Sequence, residues 1–371
     1  MDVHSRIKGA VCFSSKGRLP SLDGLRAISA ALVVIGHAEQ MLKVGRHLPF
    51  GAGVIDAWGP VGVTVFFVIS GFLITRLLLE ERRESGTISL RAFYLRRTFR
   101  ILPAYWTYMA VVAVLAFAGI VMAGTDSFAR ALFFATDYLH AGFWALNHSW
   151  SLSVEEQFYL LWPLALLTVG VMRARRLALF LVFAAPVVRV LTYYCTPQLR
   201  PAIAAMLHLR GDALMIGCWA ALEQEARPAS RVLKFLARPT TALCAAVYCV
   251  LLSAIVRRVG LANAAVGYSI EALSACAVIL WAIQNPGSVV GRILNSRPLV
   301  HVGVMSYSLY LWQQLWLAHE TPTPVWMAPL LVLGAALCAE ASYRFVEAPM
   351  LRLRPRLTFY SWSSRPRMRP A

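Results

Sequence analysis

Ten apolar runs, each near the roughly 20 residues that a helix needs to cross a bilayer, dominate this chain. They lie near 25–43, 60–80, 101–123, 150–172, 177–195, 202–222, 239–256, 264–284, 299–318 and 325–348. The sixth run carries Arg210 and Asp212. A further apolar segment at 128–139 is short and reads as an interfacial or re-entrant helix. A chain that is 58% hydrophobic and 15% charged, with mean hydropathy +0.60, has more apolar surface than a soluble domain can use. The pattern predicts an all-α polytopic membrane protein of about ten transmembrane helices.

The placement of basic residues sets the orientation. With the N-terminus inside, 25 of the 36 Lys and Arg residues fall on cytoplasmic connections and tails. Six fall outside: Lys43, Arg46, Arg130, Arg200, Arg257 and Arg258. Arg26, Arg76, Arg189, Arg210 and Arg344 sit in or at the edges of runs. This bias predicts that both termini are cytoplasmic. It also accounts for the net charge of +18 without nucleic acid as a partner. The division that follows is a cytoplasmic N-terminal segment at 1–21, a transmembrane domain at 22–350 and a basic cytoplasmic tail at 351–371. The start of the chain is basic, with no short cleavable apolar region after it, and reads as a leader to the first helix, not as a signal peptide. The seven cysteines form no CxxC pair and no Cys/His metal spacing, so they predict neither a disulfide framework nor a metal site.

Within this apolar background a few polar residues stand out. Leu22–Glu39 holds Arg26 and His37, separated by ten small or apolar residues. On a helix they share a face, with His37 roughly 16 Å from Arg26 and near mid-depth if Arg26 marks a membrane edge. An ionisable ring there is costly unless paired or facing a wet cavity, so it is a functional candidate; a lone histidine on an apolar helix also serves as a hydrogen-bonded packing residue. In the second run, Ser70-Gly71 reads as a helix-packing notch. Arg96, Arg97 and Arg100 crowd one turn, and the last two share a face. They suit phosphate oxygens, and equally the positive-inside rule or an anionic lipid. In His148–Pro163, Ser149 or Ser151 is placed to cap a helix with Glu155 and Glu156 in its first turns. That is one carboxylate more than a cap needs, and Gln157 and Tyr159 follow. Such a carboxylate beside a histidine would orient the ring. Arg210 and Asp212 are set to neutralise each other or to pair across helices. The aromatic-rich SYSLYLWQQLW, with Ser306, Tyr307, Tyr310 and Gln313, reads as a membrane-belt segment. Glu340, Arg344 and Glu347 read as a paired cytoplasmic rim.

Taken in order, the Arg26-to-His37 spacing, VFFVISGFLI, FYLRRTFRILPAY, WSLSVEEQFYLLWP, SYSLYLWQ and RFVEAP resemble the bacterial acyltransferase 3 membrane O-acyltransferases over nearly the whole chain. The resemblance implies transfer of an acyl group, usually acetyl, from cytoplasmic acyl-CoA to a hydroxyl of an extracytoplasmic glycan or glycolipid at the inner membrane. It associates the Arg97–Arg100 pair with the acyl donor and the Arg26-to-His37 motif with transfer. On this reading Arg96, Arg97 and Arg100 bind the donor phosphates. His37 acts as general base or transient acyl carrier, Glu155 orients it or stabilises its imidazolium, and Arg26 holds donor anions or pairs with Asp23. Glu156, Tyr159, Arg210 and Asp212 support the site. Some members carry an SGNH hydrolase-like domain; the expectation here is a stand-alone member that acylates its acceptor directly or through a separate partner. A transporter or flippase of a sugar-linked substrate would also place polar residues at mid-depth, and a non-catalytic scaffold would leave them unexplained.

Overall fold

The computed structural model describes residues 19, 21–43, 51–138, 142–317 and 323–353. Most of the predicted N-terminal segment, the basic tail beyond Leu353 and Arg46 lie outside the described residues, together with the charges counted there.

Every regular element among the described residues is helical. The first three helices are α1 (Leu22–Leu42), α2 (Gly51–Ser85) and α3 (Leu90–Phe117). Two short ones follow, α4 (Thr125–Leu132) and α5 (Trp144–Asn147), and then the long α6 (Ser149–Cys195). The middle of the chain forms α7 (Leu207–Arg210), α8 (Asp212–Ala226), α9 (Arg231–Leu236), α10 (Pro239–Val247), α11 (Ser253–Arg258), α12 (Gly260–Ala262) and α13 (Tyr268–Gln284). The last four are α14 (Val289–Leu294), α15 (Arg297–Val304), α16 (Ser306–Trp316) and α17 (Ala328–Ser342).

Seven helical stretches among the described residues are long and apolar enough to cross a membrane. The sequence predicts ten, and three local causes account for the difference. The fourth and fifth runs share one stretch, Trp144–Cys195. It bends at Gly170, where φ 75° and ψ 168° define a conformation open essentially to glycine alone. The sixth run is broken into a 3₁₀ turn (Pro197–Ala204), α7 and the 15-residue α8. The ninth run is divided between α15 and the 11-residue α16 at Met305. The described part of the short apolar segment, 128–138, forms the end of α4 and a turn whose Thr136 and Asp137 are buried.

At the centre, α2 packs most extensively against α1 and α8. Missing side chains make this possible. A Cβ on Gly71 would stand 2.0 Å from the Leu214 carbonyl oxygen, and one on Gly217 would stand 2.2 Å from that of Val68. The predicted notch at Ser70-Gly71 is therefore a backbone-to-backbone contact between α2 and α8, of the kind that small residues allow in membranes. Gly71→Ala is expected to destabilise the fold by about 1–3 kcal/mol, the usual cost of overpacking a filled core. The measurement is the thermal midpoint of the detergent-purified protein; an unchanged midpoint would contradict this contact.

Candidate active site

A cavity of about 80 Å³ opens between α1, α2, α3, α6 and α16. Arg26, Ser70, Arg97, Arg100, Glu155, Tyr159 and Ser306 supply its polar wall, and Phe66, Phe67, Leu73, Ile101 and Leu152 are among its apolar lining. Its polar groups are fixed by one another. Ser70 Oγ donates to Glu155 Oε1 at 2.7 Å, and the Tyr159 hydroxyl lies 3.1 Å from Glu155 Oε2. The Arg97 guanidinium stacks over the Tyr159 ring, 4.6 Å from its centroid. Arg26 Nε donates to Ser306 Oγ at 3.3 Å.

Arg97 and Arg100 both line the cavity, as their shared face predicts. Arg96 does not: its Nη2 is 2.7 Å from Glu81 Oε2 at the end of α2, so its guanidinium is drawn aside. Arg100 instead approaches Glu347, with Nη1 3.9 Å from Oε2. Glu347 stands on a π turn, Tyr343–Glu347, and also accepts from Ser308 Oγ at 2.8 Å. The predicted rim therefore divides: Glu340 pairs with Arg344 and with His301, whereas Glu347 turns inward.

His37 does not line this cavity. Its Nδ1 is 2.8 Å from Gln313 Oε1, and its ring meets Trp144 edge-on at 5.1 Å. Trp144 and Gln314 clamp each other: Trp144 Nε1 donates to the Gln314 carbonyl at 2.9 Å, and Gln314 Nε2 to the Trp144 carbonyl at 2.8 Å. One helix, α16, thus faces both ends of the predicted motif, with Ser306 against Arg26 and Gln313 against His37. Tyr310 stands between them, lines the cavity, and shares a 2.5 Å hydrogen bond with Ser151.

Several expectations are corrected. Glu155 is held by Ser70 and Tyr159, and Gln313 takes the orienting position beside His37 that was expected of Glu155. Glu155, not Glu156, lines the cavity, and Asp23 does not. Ser149 and Ser151 do not cap α6: their hydroxyls donate to the carbonyls of Leu146 and His148, because the turn of α5 runs directly into α6. Arg210 and Asp212 do not line the cavity either; of the two pairings open to them, Asp212 takes the one across helices, to Arg189 at 2.9 Å.

Residues that sequence reasoning missed are Gln313, Ser306, Glu347 and His148. The first two had a signal: positions 306, 310 and 313 repeat at helical spacing through an aromatic run. His148 is 3% exposed, packs between Tyr108 and Tyr310, and has no hydrogen-bond partner on either ring nitrogen among the described residues. No group of histidine, cysteine or carboxylate residues suited to a metal occurs among the described residues.

The fold and site define a multi-pass helical membrane protein with an arginine-walled internal cavity and a partly buried imidazole on the same helix as Arg26. The acyltransferase domain family matches residues 19–340, and the chain belongs to this acyltransferase 3 family. It is 26% identical to the peptidoglycan O-acetyltransferase OatA of Listeria monocytogenes, over 91% of this chain and 56% of that protein. It is 29% identical to YrhL of Bacillus subtilis, over 90% of this chain and 55% of that protein. The chain thus spans a little over half the length of these relatives. No solved structure matches it.

Proposed function

We propose that the protein moves an acyl group, acetyl in the first instance, from cytoplasmic acyl-CoA to a hydroxyl of an extracytoplasmic glycan. The relative named a peptidoglycan O-acetyltransferase makes a peptidoglycan sugar the first acceptor to try. The reading takes the ten runs as ten crossings of the cell's inner membrane, with both termini in the cytoplasm and the Arg97–Arg100 end of the cavity facing that side. The observation that carries it is the continuous α16 face that joins Arg26, through Tyr310, to His37.

In this mechanism Arg97 and Arg100, with Arg26 deeper in, take the phosphates of the donor. The slim pantetheine arm follows the apolar wall toward His37. The imidazole removes the proton of the acceptor hydroxyl, whose oxygen attacks the thioester carbonyl carbon. The carbon–sulfur bond breaks, and the departing thiolate receives the proton from the imidazolium, so no net proton is gained or lost. A neutral imidazole accepts a proton and an imidazolium returns one, so a single ring serves both steps. Gln313 fixes the ring, and Glu155 with Ser70 and Tyr159 steadies the arginines electrostatically.

The test is purified protein supplied with acetyl-labelled acetyl-CoA and a peptidoglycan fragment. One free thiol should appear for each ester formed. Intact thioester in the presence of acceptor, or label that never becomes an alkali-labile ester, would reject the proposal.

A further inference from the structure

A second set of buried charges lies away from the Arg26–His37 column, where α2, α6, α8, α11 and α13 meet. Arg189 Nη1 pairs with Asp212 Oδ2 at 2.9 Å, and Ser269 Oγ donates to the same oxygen at 2.6 Å. Arg257 Nη2 pairs with Glu271 Oε2 at 2.6 Å. Thr64 Oγ1 donates to the other oxygen, Glu271 Oε1, at 2.5 Å. Each carboxylate thus has its own guanidinium.

Arg210 is the remainder. It is 1% exposed, and no carboxylate among the described residues lies within ion-pair distance of it. Its Nη2 donates to Thr64 Oγ1 at 2.8 Å, and its guanidinium sits 4.2 Å from the Tyr268 ring centroid. Its Nε and Nη1 find no partner among the described residues, and neither does Nε of Arg257. Arg189 and Arg257 face the same tyrosine ring, at 5.6 and 5.5 Å. Three cations therefore meet two anions around one ring, with three donor nitrogens left over among the described residues. An aromatic face returns only part of what it costs to desolvate a cation. A buried charge with no counter-charge costs more than that, so the ring does not close the balance.

We propose that this cluster is a binding site for a single phosphate-type oxyanion, separate from the site of acyl transfer. One such anion neutralises the surplus cation, and its several acceptor oxygens suit the unpartnered nitrogens of two guanidiniums that face the same Tyr268 ring. Arg257 is the more exposed of the two arginines with unpartnered donors, its side chain 17% exposed, and marks the way in. The oxyanion is the phosphodiester of a membrane lipid or free phosphate.

The experiment follows the thermal midpoint of the full chain in neutral detergent. It is titrated with inorganic phosphate, with chloride at equal ionic strength, and with short-chain phosphatidylglycerol against phosphatidylcholine. Phosphate should raise the midpoint to a plateau that chloride does not reproduce, and Arg210→Gln should remove that rise. A plateau reached at lower concentration with phosphatidylglycerol assigns the lipid source; a rise with inorganic phosphate alone assigns the free ion. An equal rise in Arg210→Gln, or no rise with either phosphate or phosphatidylglycerol, would overturn the site. Should Arg210→Gln not fold, equilibrium dialysis of labelled phosphate and of labelled short-chain phosphatidylglycerol against the wild-type chain decides: about one chloride-resistant equivalent of either per chain supports the site, and none of either rejects it. Acyl transfer is not measured, so the outcome is independent of the proposed reaction.

Discussion

Replacing His37 with alanine is expected to lower acyl transfer by about 10²–10⁴-fold, the range that a positioned general acid–base supplies. The size of the effect follows from position. His37 is held from two sides, by Gln313 at 2.8 Å and by the Trp144 ring, at the end of the α16 face that begins at Arg26. The protein should still be recovered from membranes at wild-type yield, because the ring is only partly buried and its loss leaves the glycine contacts of α2 untouched. Gln313→Leu leaves the imidazole but removes its Nδ1 partner. It should cost less, roughly tenfold, in line with one neutral hydrogen bond of about 1 kcal/mol. Initial rates of thiol release at saturating donor measure both. Near-wild-type turnover by His37→Ala would remove the imidazole from the mechanism.

The second large effect is expected at Arg97 and Arg100. Both guanidiniums line the cavity, and a hydrogen bond to a charged group is worth about 1.5–3 kcal/mol. Arg97→Ala or Arg100→Ala should therefore raise KM for acetyl-CoA by about 10–100-fold, with a smaller change in kcat. A truncated donor separates phosphate binding from folding. Acetyl-pantetheine has no phosphate, so the wild-type protein should use it poorly, and the Arg97→Ala, Arg100→Ala double variant should lose most of the preference for the full donor. Arg96→Ala should change KM little, since Arg96 is engaged by Glu81. A donor preference that survives the double variant would contradict the assignment.

Much of this was legible in the sequence, and the limits have physical causes. Arg26 and His37 share a helix, so their relation follows from helix geometry. Arg97 and Arg100, three residues apart, enter the cavity together for the same reason. Relations between helices are another matter, because spacing along one helix does not fix its rotation against the next. Glu155 and His37 were expected to meet. The register of α6 against α2 gives Glu155 to Ser70, with Tyr159 one turn along α6 itself, and the register of α16 against α1 gives His37 to Gln313. Asp212, two residues from Arg210 on the chain, is turned toward Arg189 on α6. The apolar runs were plain, but hydropathy cannot register a bend such as that at Gly170 or the division of the ninth run at Met305. Gln313 was passed over because tyrosine and tryptophan around it resemble a membrane belt. Its polar face was visible only once α16 was set against α1.

The most direct test of the central claim, a path through the bundle from an arginine-lined donor end to an imidazole within reach of the glycan, is a sided assay. The full chain is reconstituted in proteoliposomes with acetyl-CoA sealed on the Arg97–Arg100 side and a peptidoglycan fragment supplied only on the other. The account predicts O-acetylated fragment on the glycan side and an equal amount of free coenzyme A on the donor side, both lost in His37→Ala. Ester formation only when donor and acceptor share one side, or undiminished transfer by His37→Ala, would contradict it.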